Sequence, residues 1–378
     1  MKSGPLDAKD RLKVLAEDSR YDLSCACGTG EEDRRKRGGN GKWLYPLSLP
    51  RGGYSLILKT LLSNACVNNC KYCPLRSDSD VRRCMLQPEE VARLFMEYQG
   101  RAGVFGLFLS SGVIRNPDHT MDRINAVARI LRRRYRYRGY IHLKIIPGAS
   151  DGAIEDAVSL ASAVSLNIET PGRRHFEKLS AEKDYDRDIL RPLKLMSRLT
   201  ARGMPYSRVK CTSQFIVGAS EENDGEIISS MSGLYDRLRF SRLYFSAYQK
   251  GLGTSDVPGE KRILSSAEEP FIREHRLYQV DFLLRKYGFE GSEIPLDSEG
   301  NLLLDRDPKQ AWADSHPEFY PVRINRAERD DLLRVPGLGP ETVSWIMQNR
   351  RDGRISRLDH LPVRGKRLET IKRYAVAE

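Results

Sequence analysis

Apolar runs and amphipathic stretches alternate along residues 54–248, and no other feature constrains the fold as tightly. Three runs read as strands in the first half: Tyr54-Ser-Leu-Ile-Leu-Lys-Thr-Leu-Leu, Gly103-Val-Phe-Gly-Leu-Phe-Leu-Ser-Ser and Tyr140-Ile-His-Leu-Lys-Ile-Ile-Pro. Three more follow: Val164-Ser-Leu-Asn-Ile-Glu-Thr-Pro, Thr212-Ser-Gln-Phe-Ile-Val-Gly and Arg242-Leu-Tyr-Phe-Ser-Ala-Tyr. Between them, residues 86–99, 121–135, 153–161 and 187–202 read as helices. Strands and helices at this spacing form βαβ units on a parallel sheet. Six such units predict an α/β architecture, a partial (β/α)6 barrel of the TIM type. Its working end lies at the C-terminal ends of the strands.

A chain of 378 residues suits one large domain plus a smaller one. The expected division is an N-terminal extension over 1–50, a core barrel over 51–290, a linker over 291–322 and a small all-α domain over 323–378. Within the extension, Arg34-Arg-Lys-Arg-Gly-Gly-Asn-Gly reads as a flexible loop. No apolar run approaches the roughly 20 residues that span a bilayer. The start, Met1-Lys-Ser-Gly-Pro-Leu-Asp, has no apolar segment of the signal-peptide kind. Seven cysteines, three of them clustered, do not read as a disulfide framework, so a cytoplasmic, reducing location is expected. The formal charge of +12 favours polyanions, nucleic acid first.

The first strand runs into Ala65-Cys66-Val-Asn-Asn-Cys70-Lys-Tyr72-Cys73-Pro, a Cys-x3-Cys-x2-Cys triplet with an aromatic before its last cysteine. Three thiolates on one short loop hold three corners of a cubane iron–sulfur cluster. With no fourth cysteine close behind the triplet, one iron stays open to a ligand. The competing reading, a three-cysteine zinc site, fits less well, because zinc sites favour paired Cys-x2-Cys knuckles. Further along, His142 and Lys144 alternate with Ile141, Leu143 and Ile145, which puts both on one face of their strand. They either point into the barrel or hydrogen-bond within its wall. Asn167 and Glu169 pose the same choice on the fourth strand.

The cysteine triplet with Tyr72 resembles the cluster loop of the radical SAM superfamily. The resemblance implies a 4Fe–4S cluster on Cys66, Cys70 and Cys73, with S-adenosylmethionine on the open iron. Reductive cleavage of the sulfonium would then give a 5′-deoxyadenosyl radical, with the electron supplied by a donor such as flavodoxin or ferredoxin. It also implies cofactor contacts. Ser110-Ser111-Gly112 occupies the place of the superfamily's Gly-Gly-Glu segment, with the acidic residue missing. Lys144 suits a carboxylate, and Asn167 and Glu169 suit ribose hydroxyls or the ammonium group. Ile216-Val-Gly218-Ala-Ser-Glu-Glu222 resembles the adenine-contacting stretch, with Glu222 expected to cap the next helix. No residue is assigned to catalysis proper.

Leu332-Leu-Arg334-Val-Pro336-Gly337-Leu338-Gly339-Pro340-Glu-Thr-Val resembles a helix-hairpin-helix motif, and a weaker copy follows at 358–376. In such a motif bare hairpin amides and a helix N-terminus grip a phosphate regardless of sequence. Gly337 and Gly339, with Arg334 and Arg350 beside them, are the expected nucleic-acid contacts. The whole arrangement is similar to a prokaryotic family of DNA modification or repair radical SAM proteins with a helix-hairpin-helix tail. Segments that carry the likeness include Trp43-Leu44-Tyr45, Gly139-Tyr-Ile-His-Leu-Lys and Arg273-Glu-His-Arg-Leu-Tyr-Gln. Two alternatives stand beside it: a radical SAM enzyme acting on RNA, and a non-catalytic DNA-binding iron–sulfur protein. Cys25 and Cys27, in a Gly-flanked segment before the barrel, are either inert or lie over the barrel mouth as a hydrogen-atom donor or metal ligand.

Overall fold

A computed structural model of the chain describes residues 6–19, 44–48 and 54–378. Cys25, Cys27, Trp43 and the basic loop 34–41 lie outside the described residues. The first described element is helix α1 (Ala8–Asp18), capped by Asp7, whose carboxylate accepts from the Asp10 amide at 2.8 Å. Its apolar stripe of Leu12, Leu15 and Ala16 is buried, and the helix packs on the strand Tyr54–Leu61.

The sheet contains β1 (Leu44–Ser48), β2 (Tyr54–Leu61), β3 (Gly106–Ser110), β4 (Tyr140–Lys144), β5 (Ala163–Ser165), β6 (Lys210–Val217) and β7 (Arg242–Ala247), ordered as in sequence. β1 pairs antiparallel with β2, a strand that sequence reasoning did not separate from the extension. The other five pairings are parallel, so β2–β7 are the six expected strands. Helices α2 (Pro88–Ala102), α3 (Pro117–Arg129), α4 (Asp151–Leu160), α5 (Arg173–Leu179), α6 (Arg191–Leu199) and α7 (Asp224–Asp236) supply the crossovers. Pro at the start of α2 and α3 uses a position where the missing amide costs nothing. Leu107, Leu109, Ile141 and Leu143 are fully buried. Alternation leaves the opposite face to Lys59, Phe108, His142 and Ser165. Lys59 Nζ lies 4.7 Å from the Phe108 ring centroid, that ring lies 4.4 Å from His142, and His142 Nε2 lies 2.9 Å from Ser165 Oγ. His142 therefore hydrogen-bonds within the barrel wall.

Two departures matter for the site. β5 ends at Ser165, well before the apolar run does. The chain then leaves the ladder and rejoins β6 at Glu169, which adopts φ 66° and pairs with Phe215. The basic run 132–138 follows α3, on a π-helical turn (Ile130–Arg134) and the loop into the start of β4. It thus feeds the N-terminal ends of the strands, and Arg132 is spent on the carbonyls of Leu160, Tyr137 and Gly139.

The chain divides into two compact units. The first holds the sheet, with residues up to 222 and 234–274, and includes α8 (Pro258–Lys261). The second gathers 223–233 and 275–378. Helix α9 (Glu269–Lys286) runs from one to the other in sequence. The second unit contains α10 (Pro308–Ser315), β8 (Val322–Arg323), α11 (Arg329–Arg334), α12 (Pro340–Asp352), α13 (Lys366–Tyr374) and β9 (Ala375–Val376). Residues 291–322, which read as a linker, thus carry a helix. The core of this unit includes Leu332, Leu333, Leu338, Val343, Ile346 and Ile371, all at most 1 % exposed. Among the described residues no helix is long and apolar enough to cross a membrane.

Candidate active site

At the C-terminal ends of the strands lies a cavity of about 1350 Å³, counting its open mouth. Cys66, Cys70 and Cys73 line it, each brought there by the loop that leaves β2. The loop is tightly folded. Cys73 N–H donates to Cys70 O at 2.9 Å, Lys71 N–H to Leu179 O at 2.9 Å, and Val67 N–H to Val113 O at 2.9 Å. Behind it Arg83 donates to the carbonyls of Asn64, Leu75, Arg76 and Ser79. Asn64, fully buried, donates to Asp18 Oδ2 and Arg82 O and accepts from the Cys84 amide, closing the base of the loop.

Of the residues named from sequence as cofactor contacts, Tyr72, Ser110, Ser111, Gly112, Lys144, Asn167, Glu169 and Ile216 line this same cavity. Gly112 has a steric reason to be glycine: a Cβ there would stand 2.6 Å from Ala65 O and 3.2 Å from Cys66 Cβ. The end of β3 presses directly on the start of the cysteine loop. Tyr72 Oη donates to Glu169 Oε1 at 2.9 Å. Burial, then the nearby Glu169 carboxylate and the Cys70 and Cys73 sulfurs, hold the Tyr72 hydroxyl protonated far above its ordinary range. Glu169 is a non-glycine residue in the left-handed region, a conformation that persists only where its surroundings impose it.

Gly218 is not among the lining residues. Its φ of 84° turns the chain after β6, and its amide donates to Glu222 Oε1 at 2.5 Å. Glu222 also accepts from the amide and hydroxyl of Ser220, and Arg273 donates to its carbonyl. The expected helix cap is therefore corrected. Glu222 braces the β6 turn, while Asn223 caps α7 by accepting from the Glu226 amide at 2.9 Å. The buried Glu222 carboxylate is already consumed by the turn it closes.

Sequence reasoning did not find Lys183. Half-buried between α5 and the π-helical turn Tyr185–Leu190, it lines the same cavity as Cys66, Cys70 and Cys73. Burial works against its charge, but the Cys70 sulfur and the Glu169 carboxylate outweigh burial and raise its pKa. Nothing in Ser180-Ala-Glu-Lys-Asp marks it, because its position comes from a loop return.

The cavity suits an iron–sulfur cluster and a polar cofactor. Burial, then the Cys70 and Cys66 sulfurs, push the Cys73 thiol up to about 12, so three thiolates need a cationic group among them. Asn167 Oδ1 is buried without a hydrogen-bond partner among the described residues, an acceptor whose chemistry fits a donor such as a ribose hydroxyl or an ammonium.

In the second unit, the hairpin Pro336–Gly339 joins α11 to α12, with Gly337 at φ 86°. Arg334 turns inward. It lies 4.5 Å from the Phe289 ring centroid and 4.8 Å from that of Trp312, and it pairs with Glu293 at 2.9 Å. Arg350 donates to the carbonyls of Ile324 and Ala327. Both guanidiniums are engaged within the unit. Gly337 packs on α13, where a Cβ would meet Ile371 Cγ1 at 2.8 Å and Arg367 O at 2.9 Å. At Gly339 a Cβ would meet Arg367 Nη2 at 3.1 Å.

The model of the radical SAM superfamily matches residues 60–232. No curated protein matches the chain. Among solved structures, methylornithine synthase is similar at 16 % identity and TM-score 0.47, over 74 % of each chain. The [FeFe]-hydrogenase maturase HydG is similar at 16 % identity and TM-score 0.46, over 98 % of this chain and 93 % of that one. Coproporphyrinogen III oxidase of Escherichia coli is similar at 12 % identity and TM-score 0.37, over 59 % and 52 %. Residues 60–232 are thus a radical SAM domain, and the chain is a radical SAM enzyme whose cofactors are a 4Fe–4S cluster and S-adenosylmethionine.

Proposed function

We propose that Cys66, Cys70 and Cys73 hold the cluster, and that Tyr72, Ser110, Ser111, Gly112, Lys144, Asn167, Glu169 and Ile216 surround S-adenosylmethionine. One observation carries this reading: the three sulfurs and these eight residues line a single cavity at the C-terminal strand ends. When bound and reduced, the cofactor pair supplies a 5′-deoxyadenosyl radical able to take hydrogen from an unactivated C–H bond. The chain's own part is to orient and to exclude water. Tyr72 stays protonated and fixes Glu169. Lys144 offers a cation to a carboxylate. Asn167 Oδ1 receives a donor, and Ile216 gives an apolar surface for the base.

The second unit, on this reading, is a helix-hairpin-helix module that brings the radical to DNA, for modification or repair. Its support is the glycine hairpin between α11 and α12 and the excess of 13 Lys/Arg over 8 Asp/Glu in residues 323–378. A reductant of the flavodoxin or ferredoxin kind supplies the electron. Anaerobically purified protein is expected to carry about four irons per chain, as a cubane requires, and to release 5′-deoxyadenosine with dithionite and S-adenosylmethionine. Alanine at any of the three cysteines is expected to abolish both. Stoichiometric zinc without iron overturns the assignment. Comparing modified nucleosides in DNA and RNA from a deletion strain and its parent identifies the substrate. A change confined to RNA overturns the DNA reading.

A further inference from the structure

Two polar side chains of the cavity are not claimed by the cofactor reading. Gln214 on β6 and Ser246 on β7 both line it. Alternation places them there. Their neighbours point the other way: Ser213 Oγ donates to Leu166 O at 2.7 Å, and Phe215 stacks on Phe245 with both rings fully buried. Gln214 and Ile216 therefore share the inward face of β6. The backbone is held at that point. Gln214 O accepts from the Glu169 amide at 3.0 Å, and the Ile216 amide donates to Glu169 O at 2.8 Å. Gln214 is 6 % exposed, and neither its carboxamide nor the Ser246 hydroxyl has a hydrogen-bond partner among the described residues. Other polar groups around the cavity are already engaged. Ser111 Oγ donates to Gly112 O, Tyr72 Oη to Glu169, and Tyr248 Oη to Glu260.

We propose that Gln214, with Ser246 beside it, reads the base of the nucleotide on which the radical acts. This rests on the proposed action on DNA, and it names the part of the DNA that enters the cavity. A buried carboxamide without partners is costly, so a ligand that satisfies it is favoured. The group offers an N–H donor and a carbonyl acceptor side by side, and it is neutral. Inside a DNA strand the phosphates and deoxyribose rings present acceptors only. A donor next to an acceptor occurs on the base edges, which Gln can meet with two hydrogen bonds. Depth points the same way. A strand rises about 3.3 Å per residue, so Gln214 lies roughly 7 Å behind Ile216, the residue assigned to the cofactor's adenine. A base reaches that depth only after it has left the stack. Ser246, paired in register with Ile216, adds a hydroxyl that can donate or accept. Gln214 thus determines specificity and takes no part in making the radical.

The test uses the full-length chain, reconstituted with its cluster and S-adenosylmethionine and kept without reductant, so that binding is read without reaction. The probes are end-labelled single strands of oligo(dA), oligo(dC) and oligo(dT) of equal length, followed by fluorescence anisotropy. Phosphate contacts contribute alike to all three, so the ratio of affinities reports the base. Wild type is expected to favour one strand. Gln214→Leu should weaken that strand about tenfold or more, as loss of one two-bond base contact does, and leave the others nearly as they were. Gln214→Glu, which exchanges the N–H donor for a second acceptor, should move the order toward oligo(dC), whose exocyclic amine donates to a carboxylate. Equal affinities in wild type, or a preference that survives in Gln214→Leu, overturn the proposal. So does weaker S-adenosylmethionine binding with the strand preference intact, for the carboxamide then serves the cofactor. If Gln214→Leu fails to hold iron, the order of preference in the near-isosteric Gln214→Glu decides. Failure of the DNA reading looks different. Wild type then binds the matching RNA strands more tightly than DNA while Gln214→Leu still flattens the preference, which upholds the base contact and moves it to RNA. Wild type that binds no strand overturns both.

Discussion

Arg83 shows how one side chain organises a site that it does not line. Its guanidinium donates to four carbonyls of the cysteine loop, a forked pattern that Lys cannot copy. Hydrogen bonds from a charged donor contribute about 1.5–3 kcal/mol each, so Arg83→Ala is expected to loosen the loop by several kcal/mol. The measurement is iron retained after desalting of reconstituted protein. A large loss in both Arg83→Ala and Arg83→Lys, with unchanged far-ultraviolet circular dichroism, is the expected result. Wild-type iron in the Ala variant contradicts it. Lys309 is a second residue whose role follows from burial. Its ammonium donates to Leu338 O at 2.7 Å and lies 4.6 Å from the Tyr287 ring centroid. Burial lowers its pKa from 10.5 to about 7. Above 10.5 the amine is neutral folded and unfolded. Between the two values only the unfolded chain keeps the proton, so stability rises with pH across this window, at up to about 1.4 kcal/mol per unit. Lys309→Met is expected to remove that rise, read as the difference in denaturant midpoints between pH 7.5 and 9.5. An unchanged difference refutes the assignment. Neither residue was legible in sequence, because one arginine or lysine among 63 basic residues carries no local mark of the carbonyls it will meet.

The junction between β3 and the cysteine loop is the element on which the site depends. Gly112 N–H donates to Ser63 O at 2.7 Å, and Val113 holds the loop through both its carbonyl and its amide. Gly112→Ala places a methyl 2.6 Å from a backbone carbonyl, which must move. Loss of iron and of 5′-deoxyadenosine release is expected, whereas Gly152→Ala, with nothing within 4 Å of the new Cβ, is expected to leave both unchanged. Equal behaviour of the two variants refutes the steric argument. At this scale much of the fold was legible. Six apolar runs alternating with helical stretches sufficed for β2–β7, because a sheet covered on both sides needs such runs and a parallel one needs the crossovers. The limits of β5 were not legible. Leu166 and Ile168 continue the apolar pattern, yet they are buried off the ladder, and periodicity cannot tell the two apart. Ser110 and Ser111, expected from the family resemblance, and Lys144, Asn167 and Glu169, expected from strand alternation, line one cavity. Lys183 was missed because a loop carries no period. Glu222 was misread because a carboxylate before a helix suggests a cap, and only the structure shows it turned back onto the Gly218 amide.

Over the whole molecule, charge is the property that the proposed partner must answer. The chain carries +12, and residues 323–378 contribute 13 Lys/Arg against 8 Asp/Glu. The inward placement of Arg334 and Arg350 decides which variants can probe a phosphate grip. Substituting either removes packing or carbonyl hydrogen bonds inside the unit, and Gly337→Val drives a side chain into Ile371. Truncation at 322 is no better, since Lys309 binds Leu338 and the unit includes residues on both sides of the cut. Arg351, Arg354 and Lys366 are exposed on α12, the turn after it and the start of α13. Reversing all three to Glu leaves the core untouched. If the unit grips a duplex by its backbone, the logarithm of affinity falls linearly with that of salt, and each lost phosphate contact reduces the slope by about 0.9. The triple variant is expected to bind duplexes of unrelated sequence more weakly by one common factor, with a shallower salt slope. Iron content and uncoupled 5′-deoxyadenosine release should remain at wild-type levels, because the residues that line the cavity belong to the other unit. Binding of the triple variant as tight as that of the parent chain at every salt concentration refutes a phosphate grip on this surface.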